Sequence, residues 1–191
     1  MNSLKDIENE SVIKNTSFVK DRISFSSLDN VVFENCIFTN VILENVNLQN
    51  ITFKTCEFAS VVFDNVAFNY VDFYNSKTMN VSLNECKIDH LTFDDSLIIS
   101  LDFKLSTLRD SNFKISKINN ISIKECTLNK VDFNNCSIEE LEIYNNKIDK
   151  VYLYSSRINS FIGDVSNLKG TYMAMEQVLD LIDKIGIILH E

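Results

Sequence analysis

Every fifth residue from Ile13 to Ile158 is Ile, Leu or Phe at twenty-nine of thirty positions, and Thr78 is the one exception. Twelve of the fourteen Phe fall in this register. Neither a helical period of 3.6 nor a strand period of 2 generates such spacing. A strict internal repeat is read before anything else, because it fixes the architecture.

Two longer periods lie inside the first. Two residues before the central position, bulky Val31, Val41, Ile51, Val61, Val71, Val81, Leu91 and Leu101 alternate with a mostly small set. That set is Cys36, Val46, Cys56, Val66, Ser76, Cys86, Ser96, Ser106 and Ser116. Phe33, Phe53, Phe73, Phe93, Phe113 and Phe133 recur every twenty residues. A coil of four five-residue sides accounts for all three periods. On each short extended side, the central residue and the one two before it point inward, and the residue between them points out. Coils stacked at strand spacing, ~4.8 Å, place the six Phe in one core ladder, and about seven coils make a rod of roughly 35 Å.

Composition agrees with many similar turns. The chain has no Pro and three Gly, and Asn takes over the turns because it tolerates left-handed conformations. A net charge of −9 argues against binding a phosphate backbone, which needs clustered Lys and Arg. The start, MNSLKDIENE, has neither the basic region nor the apolar stretch of a signal peptide. No apolar run reaches a membrane span, so the expected location is cytoplasmic.

The run VVFEN–CIFTN–VILEN–VNLQN–ITFKT–CEFAS–VVFDN resembles the pentapeptide-repeat family, whose consensus is a small residue, Asp or Asn, then Leu or Phe, then two polar residues. The resemblance covers about residues 11–170. It implies an all-β solenoid, a right-handed quadrilateral β-helix, here with a C-terminal α-helix. Two departures concern the turns: Val32, Ile42, Thr52 and Val62 replace the Asp or Asn before the centre, and bulky residues replace small ones on alternate sides.

The expected organisation is a lead or cap over residues 1–15, the repeat over 16–170, and a helix over 171–191. Open solenoid ends need covering. Asp21 occupies an inward position near the start, and Gly163 stands where a core residue belongs. Beyond it, Met175, Val178, Ile182, Ile185 and Leu189 form a heptad-spaced seam, which Ala174, Leu179, Leu181 and Ile188 widen. Two roles stay open: a cap on the last coil alone, or a cap that also pairs two chains. The resemblance favours a homodimer, since a similar helix pairs the quinolone-resistance and gyrase-inhibitor members.

Catalytic and metal patterns are missing. The five Cys occupy inward small positions with no C-x-x-C spacing. His90 lies at an outward turn and His190 in the tail, with no nucleophile set around either. No Gly-rich phosphate loop is present. The expectation is a non-enzyme without cofactor or metal.

Surface charge divides by side. The Leu43 side carries Glu44, Asp64, Glu85, Asp102, Glu125 and Glu142 against Lys104 and Lys124, a net of −4. The Phe33 side nets −3, and the Leu48-to-Ile148 side nets +2. Two functions follow. One is an interaction or structural scaffold with an unknown protein partner, to which Tyr70, Tyr74, Tyr144, Tyr152 and Tyr154 offer contacts. The other, implied by the resemblance to loop-free gyrase-interacting members, is a DNA-mimicking dimer that binds DNA gyrase and inhibits or protects it. Charge weighs against the second, because duplex DNA of that length carries about twenty charges.

Overall fold

A computed structural model of the chain describes residues 3–184. Parallel strands fill almost all of it, and each pairs with the strand twenty residues on: Val71 opposes Leu91, and Phe73 opposes both Phe53 and Phe93. The same offset runs from Val12↔Val32 to Val151↔Thr171. Strands Val12–Lys14 through Ile42–Glu44 are three residues long and cover one side each. From Asn47–Lys54 onward most are eight residues long and bend through a corner to cover two sides. The strands assemble into two ten-stranded sheets that wrap one core.

The corner residue explains the bend. Twenty-six residues at five-residue spacing between Glu10 and Lys150 hold φ between 47° and 62°, and eleven of them are Asn. Each corner N–H reaches the next coil, as Asn35 N does to Lys54 O at 3.0 Å and Asn75 N to Asp94 O at 3.0 Å. The left-handed conformation costs most residues energy, and Asn least after Gly.

Inside, the six-Phe ladder is continuous, with stacked ring centroids 4.5 to 5.3 Å apart. Phe18, Phe38 and Phe58 form a second ladder that meets the first edge to face. The small inward residues have a polar task. Ser76 Oγ donates to Tyr74 O at 2.9 Å and accepts from Cys56 N at 3.1 Å. Ser96, Ser106 and Ser116 repeat this donation to the carbonyl two residues earlier. Cys56 and Cys86 sulfurs take the same place.

The turns number about eight rather than about seven. The regular register already begins at Val12, within the stretch read as a lead. Ahead of it a 3-10 turn, Leu4–Asp6, covers the first coil and buries Leu4. Asp21 is the clasp: its carboxylate accepts from Leu4 N at 2.6 Å, Ser3 Oγ at 3.1 Å and Arg22 N at 2.9 Å. The cap residues Ser3 and Leu4 stand over that inward position, so a polar residue there meets polar partners.

At the other end the last long strand is Arg157–Ile162. A Cβ on Gly163 would sit 2.3 Å from Ile143 O, so the chain turns away where a side chain cannot fit. A 3-10 turn, Val165–Leu168, and a short strand, Thr171–Tyr172, lead into helix α1, Met175–Lys184. Gln177 seats α1 on the rod, donating to Leu153 O and Ser156 O, both at 2.7 Å, while accepting from Ala174 N at 2.8 Å.

Thr78 is the flaw in the core. Its hydroxyl is buried without a partner, beside an apolar void of about 10 Å³ lined by Phe58, Phe73 and Phe93. An unsatisfied buried hydroxyl costs about 1–3 kcal/mol, and an apolar lining offers water no second partner. Thr78→Val is therefore expected to raise Tm by ~2–4 °C per kcal/mol recovered; a lower Tm in thermal unfolding would overturn this reading.

Burial also sets the thiols. It pushes Cys56 and Cys86 up to about 12, Cys126 and Cys136 up to about 11, and Cys36 upward as well. The folded state then holds thiol protons that the unfolded state releases from about pH 9 upward, so their contribution to stability is full below that pH and is lost as pH rises through 11 to 12. Urea midpoints should fall over that range. At pH 8 a thiol reagent should label none of the five before unfolding; rapid labelling of native Cys56 would contradict the burial.

Candidate functional site

Outward positions flank each central residue, and most carry polar side chains. On the side centred on Leu28, Leu48, Phe68, Ile88, Leu108 and Leu128 they hold no aliphatic residue larger than Ala. One corner of the rod differs. Val19, Thr39, Ala59 and Met79 oppose one another in successive coils, and the register continues to Ile99, since Thr78 opposes Ile98. Across the corner Ile42 opposes Val62, and the near side adds Ile37 and Leu97, with Glu57 and Lys77 between them in the column. Ile37 is 42 % exposed, Met79 39 % and Val19 38 %. The corner residues between the two columns, Asn40, Ser60 and Asn80, are short and leave the apolar groups standing proud. The strip stops near Ser100, where this corner leaves the positive-φ set that includes Lys20, Asn40, Ser60 and Asn80.

Sequence reasoning missed this strip. Its signal was present as Ile42 and Val62, read only as departures from a consensus. Folding four columns into adjacency gives them a common meaning.

The acidic side is less negative than its carboxylates suggest. Glu44 pairs with Arg22 at 2.6 Å, and Glu142 with Lys124 at 3.0 Å. The hydrogen bond from Arg22 holds the Glu44 carboxyl below its usual range. Glu142 is lowered by Ser122 and then by Lys124. Asp102 moves the other way, raised by burial. Glu44, Asp64, Glu85, Asp102, Glu125 and Glu142 do lie on one side, but cations from neighbouring coils are threaded among them.

At the C-terminal end, Met175 is 74 % exposed and Leu179 is exposed one turn later. Val178, also exposed, and the half-buried Ile182 line a recess of about 450 Å³ with Leu168 and Met173. The heptad seam is thus divided between outer and inner surfaces of α1. Ile185 and Leu189, with Ile188 and His190, lie outside the described residues. A second recess, of about 520 Å³, opens between α1 and the last coil, floored by Leu141, Leu153 and Phe161.

The tyrosines are unevenly placed. Tyr152 stacks on Tyr172 at 5.0 Å, and Tyr154 stands exposed at its edge. Tyr144 takes Lys124 over its ring at 5.5 Å. Tyr70 stacks on His90 at 4.3 Å, so His90 is half-buried rather than a solvated turn residue.

The pentapeptide repeat region family matches residues 10–93. Curated protein sequences yield no match. Among solved structures, full-length QnrB1, a plasmid-mediated fluoroquinolone resistance protein, is 15 % identical with a TM-score of 0.35, covering 92 % of this chain and 100 % of its own. HetL, a pentapeptide repeat protein involved in heterocyst differentiation regulation from the cyanobacterium Nostoc, is 9 % identical with a TM-score of 0.30, covering 85 % and 91 %. These superpositions are too loose to argue function from. Residues 10–93 are thus a pentapeptide repeat region, and the same twenty-residue strand register continues past them to Val151–Tyr152 and beyond.

Proposed function

We propose that the chain is a non-catalytic rod that binds a protein partner through the corner strip Val19, Ile37, Ile42, Val62, Met79 and Ile99. The observation that carries this is the recurrence of outward aliphatic residues along one corner over successive coils, whereas elsewhere they come only as the pair Val12 and Val32 or singly, as Leu105 and Ile115. Contiguous exposed apolar surface with a polar rim marks interaction sites, and a rigid β face presents it without ordering cost. The DNA-mimic reading draws less support, because Arg22 and Lys124 pair with two of its six carboxylates, Glu44 and Glu142.

The test is site-specific photo-crosslinking in the native host. A photoreactive residue at Met79 should trap one discrete partner, and one at Arg109, diagonally across the rod, should not. Met79→Glu with Ile37→Glu should abolish the crosslinked species and leave Tm within a few degrees, since both side chains face solvent. Equal trapping from both positions would overturn the reading. If the partner proves to be gyrase and its capture depends on Glu85 and Asp64 but not Met79, the acidic side is the working surface instead.

The same reading includes pairing of two chains through α1, for which the exposed Met175 and Leu179 supply the apolar contact. Size-exclusion chromatography with light scattering should report a dimer. Met175→Glu with Leu179→Glu should shift it to a monomer with the β-sheet signal intact. A monomer in the unsubstituted protein would restrict α1 to capping.

A further inference from the structure

On the corner diagonal to the apolar strip, Asp89, His90 and Asp110 bring one ligand atom each within 4.8 Å of one another. We propose that they form a surface site for a zinc-class divalent cation, with open positions for water. Three features of the fold support it.

First, the coil sets the spacing. His90 and Asp110 are corner residues of adjacent turns, both held at positive φ (60° and 47°), and Asp89 is the outward residue just before His90. Sequence spacing cannot show this, because Asp110 is twenty residues from His90. Second, the His90 ring is oriented. Tyr70, from the turn before, stacks on it at 4.3 Å and 19°, which limits its rotation and leaves its edge toward the carboxylates. Third, two atoms of the group have only each other. Asp89 Oδ1 and His90 Nδ1 are both closed off from solvent with no other partner, and they sit 3.0 Å apart, an ion pair only while the imidazole is protonated. That separation is the edge between neighbouring ligands around a metal with bonds of ~2.0–2.1 Å, where the edges are about 3.0–3.4 Å. Closing the longest side of the triangle asks for about 1.5 Å of side-chain rotation, within reach of a half-buried aspartate.

Ligand chemistry selects the ion. Two carboxylates and an imidazole suit zinc, cobalt or nickel, whereas calcium and magnesium prefer oxygen alone. Lys130 opposes binding: its Nζ lies 3.2 Å from Asp110 Oδ1. An incoming cation must replace that ammonium, so Lys130 tunes the affinity downward.

The test uses chelator-stripped full-length protein titrated with zinc by calorimetry and with cobalt by visible absorption. His190→Gln is introduced throughout, so that His90 is the only imidazole. One ion per chain is expected. His90→Gln and Asp110→Asn should each weaken binding at least tenfold, and Lys130→Ala should tighten it several-fold. Ten-millimolar calcium should not compete. Zinc should raise Tm in the His190→Gln parent and leave it unchanged with His90→Gln, by mass action on the folded state. Affinity indifferent to His90→Gln, or no binding below about 1 mM zinc, would overturn the site.

Discussion

The structure depends on a left-handed backbone corner repeated every five residues. Each corner turns the chain by one side of a square, and four corners bring it back over itself. Only then do Val71 and Leu91, or Phe73 and Phe93, fall opposite one another. The corner N–H groups bond to the next coil rather than within their own, so a turn is complete only when stacked. Cooperativity along the rod follows, because each coil borrows its hydrogen-bond partners from its neighbours.

That constraint explains the composition. A corner at positive φ calls for Asn, Asp or Gly, and this chain supplies Asn at eleven of its twenty-six non-glycine corners. It also isolates unusual corners. Phe25, Leu105 and Ile115 hold the same positive φ with exposed apolar side chains, which local preference does not favour. Nothing in their surroundings explains them.

Stacking also turns sequence neighbours twenty apart into surface neighbours ~4.8 Å apart. The same operation builds the Phe ladder, the Ser and Cys columns, the apolar strip and the Tyr70–His90–Asp110 corner. It mixes charge as well: Glu44 and Arg22, or Glu142 and Lys124, are paired by the coil and not by the chain. A side-by-side count of charges therefore overstates the field of the acidic side.

The sequence by itself determined the coil. Twenty-nine of thirty central positions are large and apolar, and no other regular backbone gives that period a single inside. It also marked where the repeat fails, at Gly163, and where the core is flawed, at Thr78. What only the tertiary structure decided are the relations across coils: that Asp21 clasps the N-terminal cap, that Gln177 seats α1, that the α1 seam splits between two surfaces, and that His90 is sandwiched beside two carboxylates. The reason is physical. Inward positions face one common core and leave a strict period in the chain, whereas outward positions are selected pair by pair across a fold that must first exist.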